Sequence, residues 1–94
     1  MYGLITSMLV LADNRDALLA AVGKGASDLP GCVSYVVAAD TEDPSLVWVT
    51  EVWDSVEAHA ASLELDQVKE AIAQARPFLL GFGIRVETEP SAIA

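Results

Sequence analysis

The chain has 94 residues and a mass of 9.9 kDa, enough for one hydrophobic core, so we expect residues 1–94 to form a single domain with a short tail from about residue 89. Fourteen Asp and Glu against five Lys and Arg give a net charge of −9, which argues against nucleic acid or an anionic membrane surface as a partner. Apolar residues make up 53% of the chain, more than so small a domain buries alone, and a partner subunit would cover the surplus.

The sequence predicts a cytoplasmic protein. No uninterrupted apolar run approaches the roughly 20 residues needed to cross a bilayer, and no basic residue precedes the first apolar stretch as it would in a secretory signal. The single cysteine, Cys32, has no partner for an intrachain disulfide, which agrees with a reducing compartment.

The first half of the chain predicts a strand, a helix and a hairpin. Residues 4–11 form an apolar run of strand length, and Asp13 offers an N-cap for a helix from about residue 13 to 27, which a Leu-Pro-Gly turn ends. Residues 32–39 and 46–53 are rich in β-branched and aromatic residues. The short polar loop between them predicts that these two strands pair as a hairpin.

The second half predicts helical structure and a last strand. Asp54, with a Glu three positions later, is a capping-box arrangement for a helix that runs to about Leu63. Asp66 offers a second cap for a helical stripe that Pro77 ends, and residues 79–87 alternate as a strand would. The order β-α-β-β-α-β predicts an α+β, ferredoxin-like fold with a four-stranded antiparallel sheet and helices on one face.

Both faces of the predicted sheet carry apolar side chains. In the second strand Val33, Tyr35 and Val37 point one way, whereas Val36 and Ala38 point the other way. Helices on one side would leave the second face bare. We therefore expect a homodimer that forms through the sheet face.

The sequence lacks the residues needed for metal binding, for a nucleophile-elbow hydrolase and for a phosphate-binding loop. One His and one Cys provide no set of three strong metal ligands, and no nucleophile-elbow pattern is present. Gly81-Phe82-Gly83 is not a phosphate-binding loop, because no dinucleotide or P-loop spacing surrounds it. Glycines in a strand instead allow a bulky neighbour or a ligand to approach the sheet closely.

The stretch EVWDSVEAH, residues 51–59, resembles the antibiotic biosynthesis monooxygenase (ABM) domain family, including the small quinol monooxygenases. In that family the third strand ends in Glu-x-Trp-x-Ser, followed by Glu-Ala and a nearby His. Other features fit the same resemblance: Pro-Gly-Cys at 30–32 before a strand with Tyr35, Asp-Pro at 43–44, and Ala-Arg-Pro at 75–77 leading to Gly-Phe-Gly.

The resemblance implies a dimeric α+β barrel with a cavity between the sheet and the helices. Some members oxidise quinols or electron-rich polycyclic phenols with O2 and without metal or flavin, so it implies a small aromatic substrate, O2 and no cofactor. Two other interpretations stay open. One is a non-catalytic or stress-related barrel that binds a small apolar ligand, and the other is a proton-transfer enzyme of the lactone-isomerase kind.

Three residues are candidates for catalysis. Glu51 could accept a substrate proton if burial raises its pKa, or it could form a salt bridge with Arg85. Trp53 could stack on an aromatic substrate or donate to it, or serve as a core residue. Histidine is the residue type whose ordinary pKa lies nearest neutrality, so His59 is a candidate base, or else a surface histidine at the dimer seam.

Four residues are candidates for binding the substrate. Tyr35 could position a phenolate or lie in the dimer core, and Arg85 could stabilise an anionic substrate or pair with an acid across the sheet. The hydroxyl of Ser7 could line the cavity, and Phe82 lies between the two glycines that favour close approach of a ligand.

Two departures from the family pattern matter. Haem-degrading members carry an Asn in the first strand and a His late in the second helix, where this chain has Ser7 and Ile72, which argues against haem cleavage. In many other members the His after Glu-Ala lies one helical turn further on, at the position of Ser62, about 5.4 Å along the helix. The base role of His59 therefore depends on where its ring points.

Overall fold

The computed structural model describes residues 1–94 and contains four β-strands and three α-helices. The strands are β1 (Tyr2–Val10), β2 (Cys32–Ala39), β3 (Leu46–Trp53) and β4 (Leu79–Thr88). The helices are α1 (Arg15–Lys24), α2 (Val56–Ser62) and α3 (Asp66–Ala75), with short 3₁₀ turns at Ala12–Asn14 and Arg76–Phe78. None of the helices has the length and apolar character needed to cross a membrane.

The four strands form one antiparallel sheet in the order β2-β3-β1-β4. Two central strands flanked by β2 and β4, with all helices in the connections, are the ferredoxin-like α+β arrangement, so the predicted fold class is confirmed. Strands β2 and β3 begin and end at the predicted residues. The first strand starts and ends earlier than predicted, because the chain is already extended at Tyr2.

Three helix starts differ from the predictions. Helix α3 begins at Asp66 itself, with Leu65 as the N-cap and no side-chain cap, so the predicted cap at Asp66 is wrong by one residue. At α1 a 3₁₀ turn comes first, so the helix begins at Arg15, later than predicted, and it ends at Lys24, earlier than predicted. At α2 the N-cap is Ser55, whose hydroxyl accepts a hydrogen bond from the Ala58 N–H at 3.1 Å. The predicted cap at Asp54 is therefore wrong by one residue, because the serine hydroxyl supplies the acceptor that the first turn needs.

The helices cover one face of the sheet in two buried clusters. One cluster joins Val10 and Val47 of the sheet to Leu18 of α1. The other is built around Tyr2 and Trp53. Tyr2 and Val10 are the two ends of β1, so the clusters lie at opposite ends of the sheet and leave its middle open to a binding site.

The other face of the sheet carries no helix. One row across it, from β2 to β4, consists of Val36, Thr50, Ile5 and Val86, which the strand register places side by side. Val36 and Val86 are both exposed. The apolar second face expected from the sequence is thus present, and the homodimer that would cover it stays a prediction.

Candidate functional site

A cavity of about 340 Å³ lies between the sheet and the helical layer. Met8, Tyr35 and Glu51 line it from the sheet, and α3 lines it with the small side chains of Ala71 and Ala75, which leave the space unfilled. Eleven of the sixteen lining residues are hydrophobic. A cavity of this size and character can enclose a small aromatic molecule.

Glu51 supplies a buried carboxyl group to this apolar wall. The residue is only 7% exposed, and the indole N–H of Trp53 donates to its Oε1 atom at 3.0 Å. The Nε2 atom of His59 lies 3.8 Å from the same oxygen. The Oε2 atom accepts no hydrogen bond within the protein and is not sealed from solvent, so it is the oxygen available to a ligand in the cavity.

Burial raises the pKa of Glu51, because the carboxylate loses hydration that the apolar surroundings do not replace. The hydrogen bond from Trp53 and the electrostatic effects of the nearby His59 and Arg85 side chains lower the pKa of Glu51 without cancelling the effect of burial. A carboxylate with a raised pKa is a stronger base than an ordinary glutamate. Proton transfer is thus the chemistry that this residue supports best.

His59 points inward from α2. Its imidazole lies against two aromatic rings, with centroid distances of 5.5 Å to both Tyr2 and Trp53, and it meets Trp53 edge-on at 69°. The Ser55 cap sets where α2 begins, and this places His59 in the turn that faces the end of β3. His59 lines the cavity, so its ring belongs to the interior and not to a helix surface.

Trp53 is 1% exposed and does not line the cavity. Stacking on a substrate is therefore not available to it in this structure. Its indole N–H is directed at Glu51 instead, because the two residues are two positions apart on β3 and so share a face. Trp53 acts as a positioning residue for the carboxyl group.

Tyr35 lies directly opposite Glu51 in the pairing of β2 with β3 and also lines the cavity. Burial, followed by the nearby charge of Glu51, raises the pKa of its phenol well above the ordinary value. The hydroxyl therefore stays protonated at neutral pH and can donate a hydrogen bond. The structure brings Glu51, His59 and Tyr35 together at one end of the cavity.

The remaining substrate-binding candidates divide between the cavity and the sheet. Phe82 lines the cavity and is 64% exposed at its mouth. Ser7 is buried outside the cavity, where its hydroxyl accepts the Ile84 N–H at 2.7 Å at an irregularity in the β1–β4 pairing. Arg85 pairs with Glu87 at 3.4 Å, so the structure does not contain the salt bridge with Glu51 that was one of the two interpretations of that residue.

Sequence reasoning assigned no role to one cavity residue, Arg76. It stands in the Ala-Arg-Pro motif, and the cue was its place next to a proline that ends α3 at the cavity edge. Ser62 also lines the cavity, and its hydroxyl donates to the His59 carbonyl at 2.6 Å. At the haem-ligand position of related proteins, Ile72 offers only hydrocarbon to the cavity. No three His, Cys, Asp or Glu side chains are grouped as a metal site.

Solved structures resemble this one closely. A crystal structure from Chloroflexus aurantiacus J-10-fl, named "putative Antibiotic biosynthesis monooxygenase", is 49% identical and covers 99% of this chain and 95% of that chain, with a TM-score of 0.95. A structure of the same name from Deinococcus radiodurans is 21% identical over 100% and 96% of the two chains, with a TM-score of 0.77. A Bacteroides thetaiotaomicron VPI-5482 protein of unknown function, described as a possible oxidoreductase, is 14% identical over 93% and 94%, with a TM-score of 0.82. The last two show the fold alone.

No curated protein matches the chain. The family model for "Antibiotic biosynthesis monooxygenase" matches residues 1–74, which include β1 to β3 and the whole Glu51, Trp53 and His59 arrangement. The identity with the Chloroflexus aurantiacus structure extends the likeness through β4. The chain therefore belongs to the antibiotic biosynthesis monooxygenase family.

Proposed function

We propose that this protein is a cofactor-independent monooxygenase that oxidises a quinol or an electron-rich phenol with O2. One observation carries the proposal: Glu51 and His59 share a contact at the wall of an apolar cavity, with Oε2 of Glu51 free to meet a ligand. Membership of the family supports an oxygenation, and the cavity supports an aromatic substrate. Because a quinol is neutral, the protein's charge of −9 does not repel it.

The first step is removal of a proton from the substrate. A phenolic hydroxyl has a pKa of about 10, so it reacts with O2 slowly until it is ionised or strongly hydrogen-bonded. Ionised Glu51 accepts the hydroxyl proton at Oε2, and the nearby His59 stabilises the charge of the carboxylate before this transfer. The protonated hydroxyl of Tyr35 donates a hydrogen bond to the phenolate that forms.

The second step joins oxygen to the ring. The phenolate gives one electron to O2, and the two radicals combine to form a carbon–oxygen bond at a ring carbon that bears hydrogen. Protonated Glu51 returns its proton to the peroxide anion and so completes the hydroperoxide. The hydroperoxide then loses water: ionised Glu51 takes the proton of the ring C–H bond, a C=O bond forms, the O–O bond breaks, and the leaving hydroxide takes that proton from Glu51. One hydroquinone and one O2 give one hydroxyquinone and one water, with all four electrons supplied by the substrate.

Oxygen consumption with a panel of hydroquinones tests the proposal. We expect O2 uptake in a one-to-one ratio with substrate, a hydroxyquinone product and no accumulation of hydrogen peroxide, which simple autoxidation would release. Glu51→Gln keeps the shape and removes the base, so the rate should fall by roughly 100-fold or more. Glu70→Gln is the matched control, because Glu70 is an exposed glutamate on α3 outside the cavity.

The same residues also suit an isomerase that moves a proton from one carbon of an unsaturated lactone to another. Proton transfer by Glu51, with His59 beside it, needs no O2. Incubation without O2 separates the two functions. Turnover of a lactone under nitrogen, together with no O2 uptake on any quinol, would favour the isomerase. Thermal stabilisation by an aromatic ligand without turnover of either kind would instead indicate a binding protein.

A further inference from the structure

We propose that the cavity takes aromatic molecules that carry a carboxylate as well as a hydroxyl, with Arg76 binding the carboxylate at the mouth while the hydroxyl faces Glu51. This inference rests on the proposed function, because it names the substrate class of the same cavity. It concerns recognition, and it can be tested by binding alone.

Arg76 is the only one of the five Lys and Arg residues that lines the cavity. Two of the others, Lys69 and Arg85, form ion pairs, and Arg15 donates to backbone carbonyls of a loop. No carboxylate of the protein lies within 4.0 Å of the Arg76 guanidinium. A free, planar guanidinium at a cavity mouth has the geometry to bind a carboxylate through two parallel hydrogen bonds.

The sheet register separates Arg76 from Glu51 along the cavity. Glu51 pairs with Leu4 of β1, whereas Leu79, which follows the 3₁₀ turn that begins at Arg76, pairs with Val10. Six steps along β1 separate Leu4 from Val10, which is about 20 Å at roughly 3.3 Å per residue. Glu51 and Arg76 both line the cavity, and its volume of about 340 Å³ has room for a molecule of two or three fused rings.

The wall between these two polar groups is apolar. Leu63, Ile72 and Phe82 line the cavity and remain exposed at its mouth, where they can enclose the rings of a ligand. Elsewhere the protein is strongly acidic, so an anion without an apolar body is repelled by the overall charge. An aromatic hydroxy acid satisfies both requirements, because its rings fill the apolar span and its single carboxylate meets the single cation.

Calorimetric titration under nitrogen tests this with two probes of nearly equal size, 6-hydroxy-2-naphthoic acid and 2-naphthol. We expect the wild-type protein to bind the acid roughly tenfold more tightly, the effect of one charge-assisted contact at a partly exposed site. Arg76→Gln should abolish this preference and Arg76→Lys should retain part of it. Lys69→Gln removes the same unit of charge from α3 outside the cavity and should leave the preference unchanged.

The acid preference must also weaken as salt is raised, because the contact lies at the surface. Equal binding of the two probes by the wild-type protein, a preference that survives Arg76→Gln, or no binding of either probe would overturn the inference. Oxygen uptake by the wild-type protein on neutral quinols, together with equal binding of the two probes, would uphold the proposed function and remove the inference. Binding of the acid through Arg76 without any O2 uptake would uphold the inference and contradict the proposed function.

Discussion

Trp53 donates its indole N–H to Glu51 Oε1 at 3.0 Å, and this contact decides which oxygen of the carboxyl group is left for chemistry. His59 Nε2 approaches the same oxygen at 3.8 Å. Trp53 and His59 therefore both lie next to Oε1, whereas Oε2 of Glu51 accepts no hydrogen bond from the protein and lies beside the cavity. The signature Glu-x-Trp has a physical meaning here: the two-residue spacing puts a donor and its acceptor on one face of β3.

Trp53→Phe tests this positioning role. The ring still fills the buried site, but Glu51 loses a hydrogen bond that lowers its pKa, so that pKa should rise further. We expect the rate to fall by roughly tenfold and the acid side of its pH profile to move to higher pH, with the fold retained. A pH profile of the rate, with circular dichroism on the same samples, measures both effects.

Trp48→Phe is the matched control. Trp48 also donates its indole N–H to a carboxylate, at 2.8 Å, but the acceptor is Asp40 in the loop after β2, far from the cavity lining. This variant should leave the pH profile unchanged. If Trp53→Phe lowers only the stability and leaves the profile where it was, Trp53 is a core residue with no part in the site.

The raised pKa of Glu51 also makes a prediction about stability. Unfolded glutamate has a pKa of about 4.3, so between that pH and the raised pKa the folded protein holds more protons than the unfolded chain. Stability must then fall as pH rises through this window, because ionising the buried carboxyl group becomes a cost of folding. Glu51→Gln removes the titration, and we expect it to melt at a higher temperature than the wild-type protein at pH 8.

The difference in melting temperature between the two proteins should shrink toward pH 4, where the wild-type carboxyl group is protonated. Thermal unfolding followed at both pH values measures it. Glu70→Gln again serves as the control, since Glu70 is exposed and should show no such dependence. A stability gain for Glu51→Gln that is the same at pH 4 and pH 8 would contradict the role of burial.

Local sequence patterns were enough to predict the bounds of β2 and β3 and the proximity of Glu51 to Trp53. They were not enough to predict which side chains that are distant in sequence form pairs. β2 and β3 could be bounded from the sequence because turn residues flank their β-branched runs. The proximity of Glu51 and Trp53 follows from strand alternation. The partner of Arg85 could not be inferred, because an arginine in an edge strand can reach acids on its own strand as well as across it, and here it pairs with Glu87 two residues away.

The location of Arg76 shows the same limit. A residue that follows a helix is free to point in several directions, and only the packing of α3 on the sheet determines that this one meets the cavity. Ser7 is the opposite case: a serine in a strand suggests a lining hydroxyl, yet it is buried and its oxygen is used by the Ile84 N–H. Such hydrogen bonds depend on register shifts between strands that are distant in sequence.

The bare sheet face predicts a homodimer. A charge placed in its centre would have to be buried on association, so Val36→Glu should shift the protein toward monomer. Val56→Glu is the matched control, because Val56 is similarly exposed, 49% against 52% for Val36, but lies at the start of α2 on the opposite side. Sedimentation at micromolar concentration should give twice the chain mass for the wild type and the control. A wild-type mass of one chain would rule out the dimer at that concentration.

The contact between Gly83 and Ser7 predicts a stability effect on β4. A Cβ atom at Gly83 would lie 2.5 Å from Ser7 Oγ, so an alanine there must displace the hydroxyl that accepts the Ile84 N–H. We expect Gly83→Ala to cost about 1 to 3 kcal/mol, the effect of a lost, partly buried hydrogen bond with some strain. Gly81→Ala, where no atom lies within 4 Å of the new Cβ, should be neutral or slightly stabilising. Urea denaturation measures the free energy of unfolding of both variants. If Gly83→Ala and Gly81→Ala are equally stable, the chain accommodates the new Cβ at position 83 without losing the hydrogen bond between the Ile84 N–H and Ser7.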